Sequence, residues 1–438
     1  MIRILLFLAI LAALTFGATW LIDHDQPGAI QLSFQGRQYS TSLVVGIAIL
    51  AVLVLALTIV WALLSFVFRI PSLLSLATSA RRRNKGLAAL SRGMVAAGAG
   101  DARLARRAAD EASRLMPAEP LTQLLRAQAA QLAGDRGAAE AAFTRMVERP
   151  ETRVLGLRGL HMEARRRGDT DAAYHFASQA HQIAALPWAG LAVLENRTSR
   201  ADWQGALDIV ESNLASKTID RKAANRQRAV LQTAMALDKS GADGEAALAL
   251  AQEALKRAPG LVPAAALAGR LLARKGDIRH ASKLLENAWI EGPHPEIARV
   301  YLDVRPGDST SDRLARAKNL ARMKPRNIEA LLTVARAAMD AREFDAARRA
   351  MDDAFAVAEQ GEGDKRPTVR MCMTMAQLEE MQHGATGAVR EWLAKASRAR
   401  RDPAWIADGV VSDTWSAVSP VTGALDAFMA RFSCRWKR

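Results

Sequence analysis

The stretch AAGAGDARLARRAADEASRLMPAEP, residues 96–120, decides the fold because it can be compared with the rest of the chain. In it a Gly-Asp pair is followed by an alanine-spaced helical pattern that closes at a proline. The same pair returns twice at intervals of 34 residues, and looser copies follow: Gly100-Asp101, Gly134-Asp135, Gly168-Asp169, Ala201-Asp202, Gly241, Gly276-Asp277 and Arg342-Glu343. A fixed period of this length indicates a helical-repeat protein in which each unit is a pair of helices.

Each copy contains the residues that such a helix pair needs. Glycine can end the first helix in a left-handed conformation, and aspartate can cap the second. An alanine five residues after the turn lets the two helices cross closely; these are Ala105, Ala139, Ala173, Ala206, Ala246, Ala281 and Ala347. Prolines prevent the second helix from continuing, at Pro117, Pro150, Pro187, Pro259 and Pro293. This pattern resembles the tetratricopeptide repeat and predicts an all-α solenoid over residues 85–400.

A phosphate-binding loop is the alternative for Gly98 and Gly100. A dinucleotide fingerprint needs a preceding strand and a third glycine at a set distance. Here the flanks are helical and Arg103 stands in the run that follows. We therefore predict that both glycines only bend the chain between two helices.

Two uncharged stretches precede the repeats, at residues 4–22 and 43–68. Both are long enough for transmembrane helices. Basic residues follow the second stretch, whereas the connection at 23–42 holds a single arginine, Arg37. The positive-inside rule then places both termini of a two-pass membrane protein in the cytoplasm and loop 23–42 on the outer side of the membrane.

The alternation around Ile30, Leu32 and Phe34, followed by Gln35-Gly36, predicts a small β-hairpin in this loop. A cleaved signal peptide is the alternative for the first stretch. The first stretch, however, has no clear cleavage site before Asp23.

Charge and composition narrow the class further. The 438 residues carry a net charge of +15 and only 5% aromatic residues. A basic surface attracts nucleic acid, anionic lipid or acidic proteins. Because anionic lipid is already available to basic residues beside a bilayer, the lipid bilayer is the expected partner and nucleic acid is not.

No pattern of catalytic or metal-ligating residues emerges, so we predict neither an enzyme nor a bound cofactor or metal. His161, His175 and His181 could approach one another on neighbouring helices, yet they lack metal-ligand spacing and are expected to be solvated or packed. Cys372 lies in an apolar helical pattern and is expected to be a buried thiol. Two cysteines in total favour a reducing compartment.

The remaining candidate site is the groove that first helices line in this repeat class. Counting the turn residue as position 15, positions 2, 5, 9 and 12 face the groove. The resulting candidates for binding a protein are Gln128, Arg158, Arg165, Arg270 and Arg336, with Leu121, Leu124, Gln131, Leu155 and Met162 beside them. Arginines could hold an acidic segment through bidentate pairs, unless they are simply solvated in an arginine-rich protein.

Residues 401–438 do not continue the repeat. Trp405 and Trp415 flank a glycine turn in a layout that resembles a metal knuckle without its cysteines, so no zinc is expected. A compact tail packed on the last repeat is the favoured expectation, and a partner-binding tail is the alternative.

Two spans, the junction RRRNKGLAALSRGMVAAGAGD, the repeats and the tail RRDPAW…SDTW…SPVTGALDAF together resemble the HemY family of proteobacterial inner-membrane proteins. The resemblance implies a membrane anchor at 1–84, repeats at 85–400 and a tail at 401–438. It further implies a scaffold for haem biosynthesis whose partners include late pathway enzymes. A membrane-tethered adaptor for another envelope process, such as lipopolysaccharide assembly, is the alternative, and an enzyme is the third class.

Overall fold

The computed structural model describes Phe16, Trp20 and residues 29–34, 37–360, 365–385 and 387–432. The chain divides into two compact units, Met1–Ala139 and Glu140–Arg438, and each is described by itself. The strands are β1 (Ala29–Phe34), β2 (Arg37–Ser42), β3 (Pro403–Ala407), β4 (Val410–Ser412) and β5 (Met429–Phe432). The helices are α1 (Leu43–Gly98), α2 (Ala102–Leu115), α3 (Pro120–Leu132), α4 (Arg136–Val147), α5 (Arg153–Arg167), α6 (Thr170–Ile183), α7 (Pro187–Ser199), α8 (Trp203–Ala215), α9 (Arg221–Lys239), α10 (Gly244–Arg257), α11 (Val262–Arg274), α12 (Ile278–Glu291), α13 (Pro295–Leu302), α14 (Thr310–Met323), α15 (Ile328–Asp340), α16 (Phe344–Gln360), α17 (Val369–His383) and α18 (Gly387–Arg398).

The first unit begins with the predicted hairpin. β1 and β2 pair antiparallel in a register that runs from Ala29 opposite Ser42 to Phe34 opposite Arg37. This register confirms the hairpin. The predicted Gln35-Gly36 turn lies outside the described residues.

α1 starts where the second predicted span starts and continues into the first repeat. The predicted junction at residues 84 and 85 therefore falls inside one helix. The first predicted span, residues 4–22, lies outside the described residues except for Phe16 and Trp20. Among the residues that the structure describes, no helix has both the length and the apolarity to cross a bilayer.

Small side chains hold the first unit together. Ala89 of α1, Ala105 and Ala112 of α2 and Leu125 of α3 are fully buried in one cluster. A Cβ atom at Gly93 would lie 2.4 Å from a methyl carbon of Leu125, so α1 and α3 approach too closely for a larger residue. This close packing is the reason for the small-residue period in the sequence.

The turns between helices repeat the same backbone geometry in both units, each considered alone. Gly100, Gly134, Gly168 and Gly276 all have φ between +73° and +83°. Ala201 and Arg342 adopt the same left-handed conformation, with φ of 55° and 59°, where the sequence lacks glycine. Gly100 therefore bends the chain between helices as predicted, and the all-α repeat architecture is confirmed.

Aspartates cap the second helix of most pairs. The side chain of Asp169 accepts a hydrogen bond from the Ala172 N–H at 3.0 Å, and Asp277 accepts one from the His280 N–H at 3.3 Å. In the copy near 241 the cap is Asp243, so the buried alanine is Ala247 and the prediction of Ala246 is wrong by one residue. The role predicted for Pro187, ending the second helix of a pair, is also wrong. α6 ends at Ile183, and Pro187 is the first residue of α7.

The second unit has its largest fully buried side chain at Trp289 of α12. The Trp289 indole N–H donates to the Leu320 carbonyl of α14 at 3.0 Å. Leu285, Ile297 and Tyr301 are buried in the same cluster. One side chain thus joins two successive helix pairs.

Candidate functional site

The first helix of each pair in the second unit is called an A helix; these are α5, α7, α9, α11, α13, α15 and α17. The A-helix face is the surface of these helices that carries the predicted groove positions and their neighbours. On α5, Leu155, Arg158, Met162 and Arg165 all lie on this face and all are exposed. The exposed fractions of Leu155 and Met162 are 46% and 42%, large for apolar residues. α5 therefore presents two apolar side chains that alternate with two guanidinium groups along one face.

Gln128 belongs to the first unit. It lies on α3 and is half-buried, as are Leu124 and Gln131, whereas Leu121 is 48% exposed. An amide at this position can still accept or donate one hydrogen bond to a ligand. Its role in binding stays a prediction.

Arg270 and Arg336 each lie beside other charged groups. Arg270 of α11 has a nitrogen 3.4 Å from a Glu296 carboxylate oxygen on α13. Arg336 of α15 has its pKa lowered by burial and then by the neighbouring Arg370, while Glu329 and Asp402 act in the opposite direction. Arg270 is thus in a partly exposed ion pair and Arg336 in a partly buried network. Arg158 and Arg165 are exposed, and burial raises the pKa of the Glu195 carboxyl on α7 while the nearby Arg165 has the smaller, opposite effect.

Arg370 of α17 is the centre of that network, and the sequence analysis missed it. Its guanidinium pairs with both carboxylate oxygens of Glu329 on α15. Its backbone N–H donates to Asp402 at 2.8 Å, and its Nε lies 3.5 Å from the other Asp402 oxygen. Asp402 comes from the C-terminal segment, so this network joins the repeats to the tail.

The tail, defined as residues 400–432, runs back over the A-helix face. It leaves α18 beside the start of α17, where the Val369 N–H donates to the Arg400 carbonyl at 2.9 Å. The Trp405 ring then packs against His294 at the start of α13, with ring centroids 5.2 Å apart and ring planes tilted by 34°. Burial, with a smaller contribution from Arg370, lowers the pKa of His294 to about 4, so the ring is neutral at pH 7.

The far end of the tail reaches α9 and α7. Two nitrogens of the Arg226 guanidinium, Nε and Nη2, donate to Asp426, at 2.7 and 2.8 Å. The Thr198 hydroxyl of α7 donates to the Gly423 carbonyl at 3.0 Å. A Cβ at Gly423, where φ is +71°, would lie 3.3 Å from the Glu195 carbonyl, so glycine allows this close approach.

Apolar side chains fill the space between these two ends. Trp415, Ala417, Val418 and Leu425 pack in one cluster with Ala229, Val230, Leu261, Ala264 and Trp203. Within the tail, β3 pairs with β4 on one side and β5 on the other. The tail therefore packs on the last repeat, as expected, through Asp402 and Arg370. It also contacts earlier A helices as far as α7, which the expectation did not include.

The sequence held one signal for this arrangement. The tail carries Asp402, Asp408, Asp413 and Asp426 beside a repeat region rich in arginine. When opposite charges lie far apart along the chain, residue spacing alone does not predict which of them form ion pairs. Arg226, His294 and Arg370 were therefore not identified from the sequence as contacts of the tail.

The histidines singled out in the sequence differ in their surroundings, and Cys372 is a packing residue. His161 is buried, and its Nδ1 lies 2.8 Å from the Ala173 carbonyl. His175 instead contacts Gln179. Cys372 is fully buried, and burial raises the pKa of its thiol. Cys434 lies outside the described residues, and within those residues no three His, Cys, Asp or Glu side chains are grouped as a metal site.

Comparisons with known proteins locate the chain among its relatives. Residues 28–134 match the family model described as HemY protein N-terminus, which confirms the resemblance over that segment. A curated relative, the probable magnetosome protein Mms48 of Magnetospirillum gryphiswaldense, is 26% identical over 96% of this chain and 91% of its own length.

Two solved structures show a weaker likeness. The TPR2AB domain of yeast Sti1 in its pHSP90 complex has a TM-score of 0.28 and 13% identity, with 71% of this chain and 98% of that chain covered. The MamA protein has a TM-score of 0.25 and 14% identity, with 39% of this chain and 91% of that chain covered.

Proposed function

We propose, from the HemY N-terminal region that residues 28–134 carry, that this protein is a membrane-tethered repeat scaffold for haem biosynthesis. It binds proteins through the A-helix face, does no chemistry of its own, and organises late pathway enzymes at the bilayer. Haem precursors are apolar and reactive, so successive enzymes held at one membrane surface would limit their escape. The observation that carries the binding role is the exposed row of Leu155, Arg158, Met162 and Arg165 on α5.

The chemistry of α5 defines the partner segment. Apolar side chains with this exposure are usually covered in a complex, and arginine recognises carboxylates with two parallel hydrogen bonds. Residues at i, i+3, i+7 and i+10 share one face of a helix. A partner segment with one or two carboxylates beside an apolar residue fits this row.

Charge reversal tests the binding role. Full-length protein with Arg158→Glu and Arg165→Glu should retain less than about a tenth of the partner proteins that the wild type retains in a pull-down from its native host, because each reversal replaces attraction by repulsion. Arg106→Glu with Arg145→Glu is the matched control, since both residues are exposed on second helices of a pair and the net charge is the same. Equal recovery of haem-pathway enzymes by both double variants would show that α5 is not the binding surface.

Haem and porphyrin levels test the biological role in the same variants. A host strain that lacks the gene should show altered porphyrin and haem levels, and the control variant should restore them whereas the α5 variant should not. Normal levels in the strain without the gene contradict the role in haem biosynthesis. A role in magnetosome function is the second candidate, favoured by the relative that aligns with 96% of this chain.

Membrane tethering rests on the uncharged residues 43–68 and the basic residues that follow them. A green fluorescent protein fused after Arg438 should fluoresce, because that reporter folds in the cytoplasm, and it should sediment with membranes. An alkaline phosphatase fused at the same point should be inactive. The opposite pair of results places the repeats in the periplasm and overturns the proposed topology.

A further inference from the structure

The tail occupies the A-helix face in the manner of a bound segment. It adds no helix pair to the repeats, and its two ends are fixed by carboxylates on arginines of two A helices, Asp402 on Arg370 and Asp426 on Arg226. Between those ends the Trp405 ring packs at a tilt against the neutral ring of His294. Carboxylates on arginine and tryptophan on a flat ring are contacts that a repeat groove can make equally with a foreign segment.

The polar contacts at the start of the tail are incompletely satisfied. Arg370 Nε and Asp402 Oδ1 are both buried and lack a hydrogen-bond partner, although they lie 3.5 Å apart. At the other end, 43% of the Arg226 side chain and 24% of the Asp426 side chain are exposed to solvent. Polar contacts of this kind are typical of surfaces that separate and rejoin.

We propose that the A-helix face from α7 to α17 is a second protein-binding surface and that the tail is its resident ligand. The partner segment that replaces the tail is extended, carries carboxylates for Arg226 and Arg370, and places a tryptophan on His294. This inference rests on the proposed function only in that the A helices bind proteins, and its site differs from the one on α5. Because the docked tail occupies the face, the apparent affinity for the partner equals the intrinsic affinity multiplied by the fraction of molecules in which the face is open.

The tail itself supplies the probe. A fluorescein-labelled synthetic peptide of residues 400–428 is titrated against the full-length protein in detergent and followed by fluorescence anisotropy. Full-length protein with Asp402→Asn and Asp426→Asn should bind this peptide about tenfold more tightly than the wild type does, because the weakened resident tail leaves the face open more often. Adding Arg226→Glu to that variant should cost about tenfold in peptide affinity, since the peptide then meets a like charge.

Asp171→Asn is the matched control. Asp171 of α6 also pairs with an arginine, Arg200, but the pair lies at the surface and involves no tail residue. This control should bind the peptide as weakly as the wild type. The proposal is overturned when the tail variant keeps the native circular dichroism spectrum and yet binds the peptide no more tightly than the control.

A measurement on the unmodified chain covers the case in which the tail variant unfolds. Excess unlabelled peptide should accelerate amide hydrogen exchange in β3 of the wild type and leave α12 unchanged, because the peptide displaces only the tail. Unchanged exchange in β3 at saturating peptide overturns the proposal. Neither outcome depends on α5, so the function proposed for Arg158 and Arg165 stands or fails separately.

Discussion

Replacement of Trp289 by alanine is expected to lower the free energy of unfolding of the second unit by about 3–5 kcal/mol. The indole is fully buried among Leu285, Ile297 and Tyr301, so truncation removes apolar contact and leaves a cavity. It also removes the hydrogen bond to the Leu320 carbonyl that links α12 to α14. The effect is large because the Trp289 side chain contacts two successive helix pairs.

Urea unfolding followed by circular dichroism measures this loss, and amide exchange locates it. A repeat protein can unfold one pair at a time, so exchange should rise first in α12 and α14. Trp289→Phe is the control: it keeps most of the volume, and the Leu320 carbonyl keeps its bond from the Lys324 N–H, at 3.2 Å. A loss below about 1 kcal/mol for the alanine variant would contradict the role given to Trp289 in joining the pairs.

The repeats were predictable because local residues determine them. A left-handed glycine, an aspartate cap and a small residue at the helix contact act within one 34-residue unit, so period and fold follow from spacing. The prediction of Ala246 failed where that spacing shifts: the cap moves to Asp243 and the buried residue to Ala247. The interaction of Trp289 with the next pair has no such local signature.

The candidate site was predictable only in part. The face carrying Arg158, Arg165, Arg270 and Arg336 follows from helical periodicity. Which arginines on this face pair with carboxylates of the same chain depends on the tail. Its contacts join residues far apart in sequence, such as Arg226 and Asp426. Long-range pairing is governed by packing over many residues, and neither composition nor period encodes it.

Acid is expected to weaken the second unit through His294. The folded-state pKa is about 4 against an ordinary value of 6.5. The unfolded chain therefore takes up a proton between these values while the folded chain does not, so stability falls as pH is lowered through 6.5 and levels off below about 4. Between pH 7.5 and pH 5 this one group should cost up to about 2 kcal/mol.

The loss of stability at low pH should appear first in the tail. Protonated imidazole beside Arg370 is repelled, and the charged ring must leave its buried contact with Trp405 or draw water into it. Glu296, whose backbone N–H donates to His294 Nδ1, loses that acceptor on protonation. Opening of β3 from α13 lets water reach the charged ring, so acid should release the same segment that a competing partner would release.

The variant His294→Asn separates this effect from every other titration. Asparagine can still accept the Glu296 N–H as a helix cap, but it does not titrate, and other ionisable groups remain as they were. The stability lost between pH 7.5 and pH 5, measured by urea unfolding at each pH, should therefore be about 2 kcal/mol larger in the wild type than in the variant. Equal losses in both proteins would mean that His294 is already protonated or already exposed in the folded chain, and the buried position against Trp405 would then be wrong.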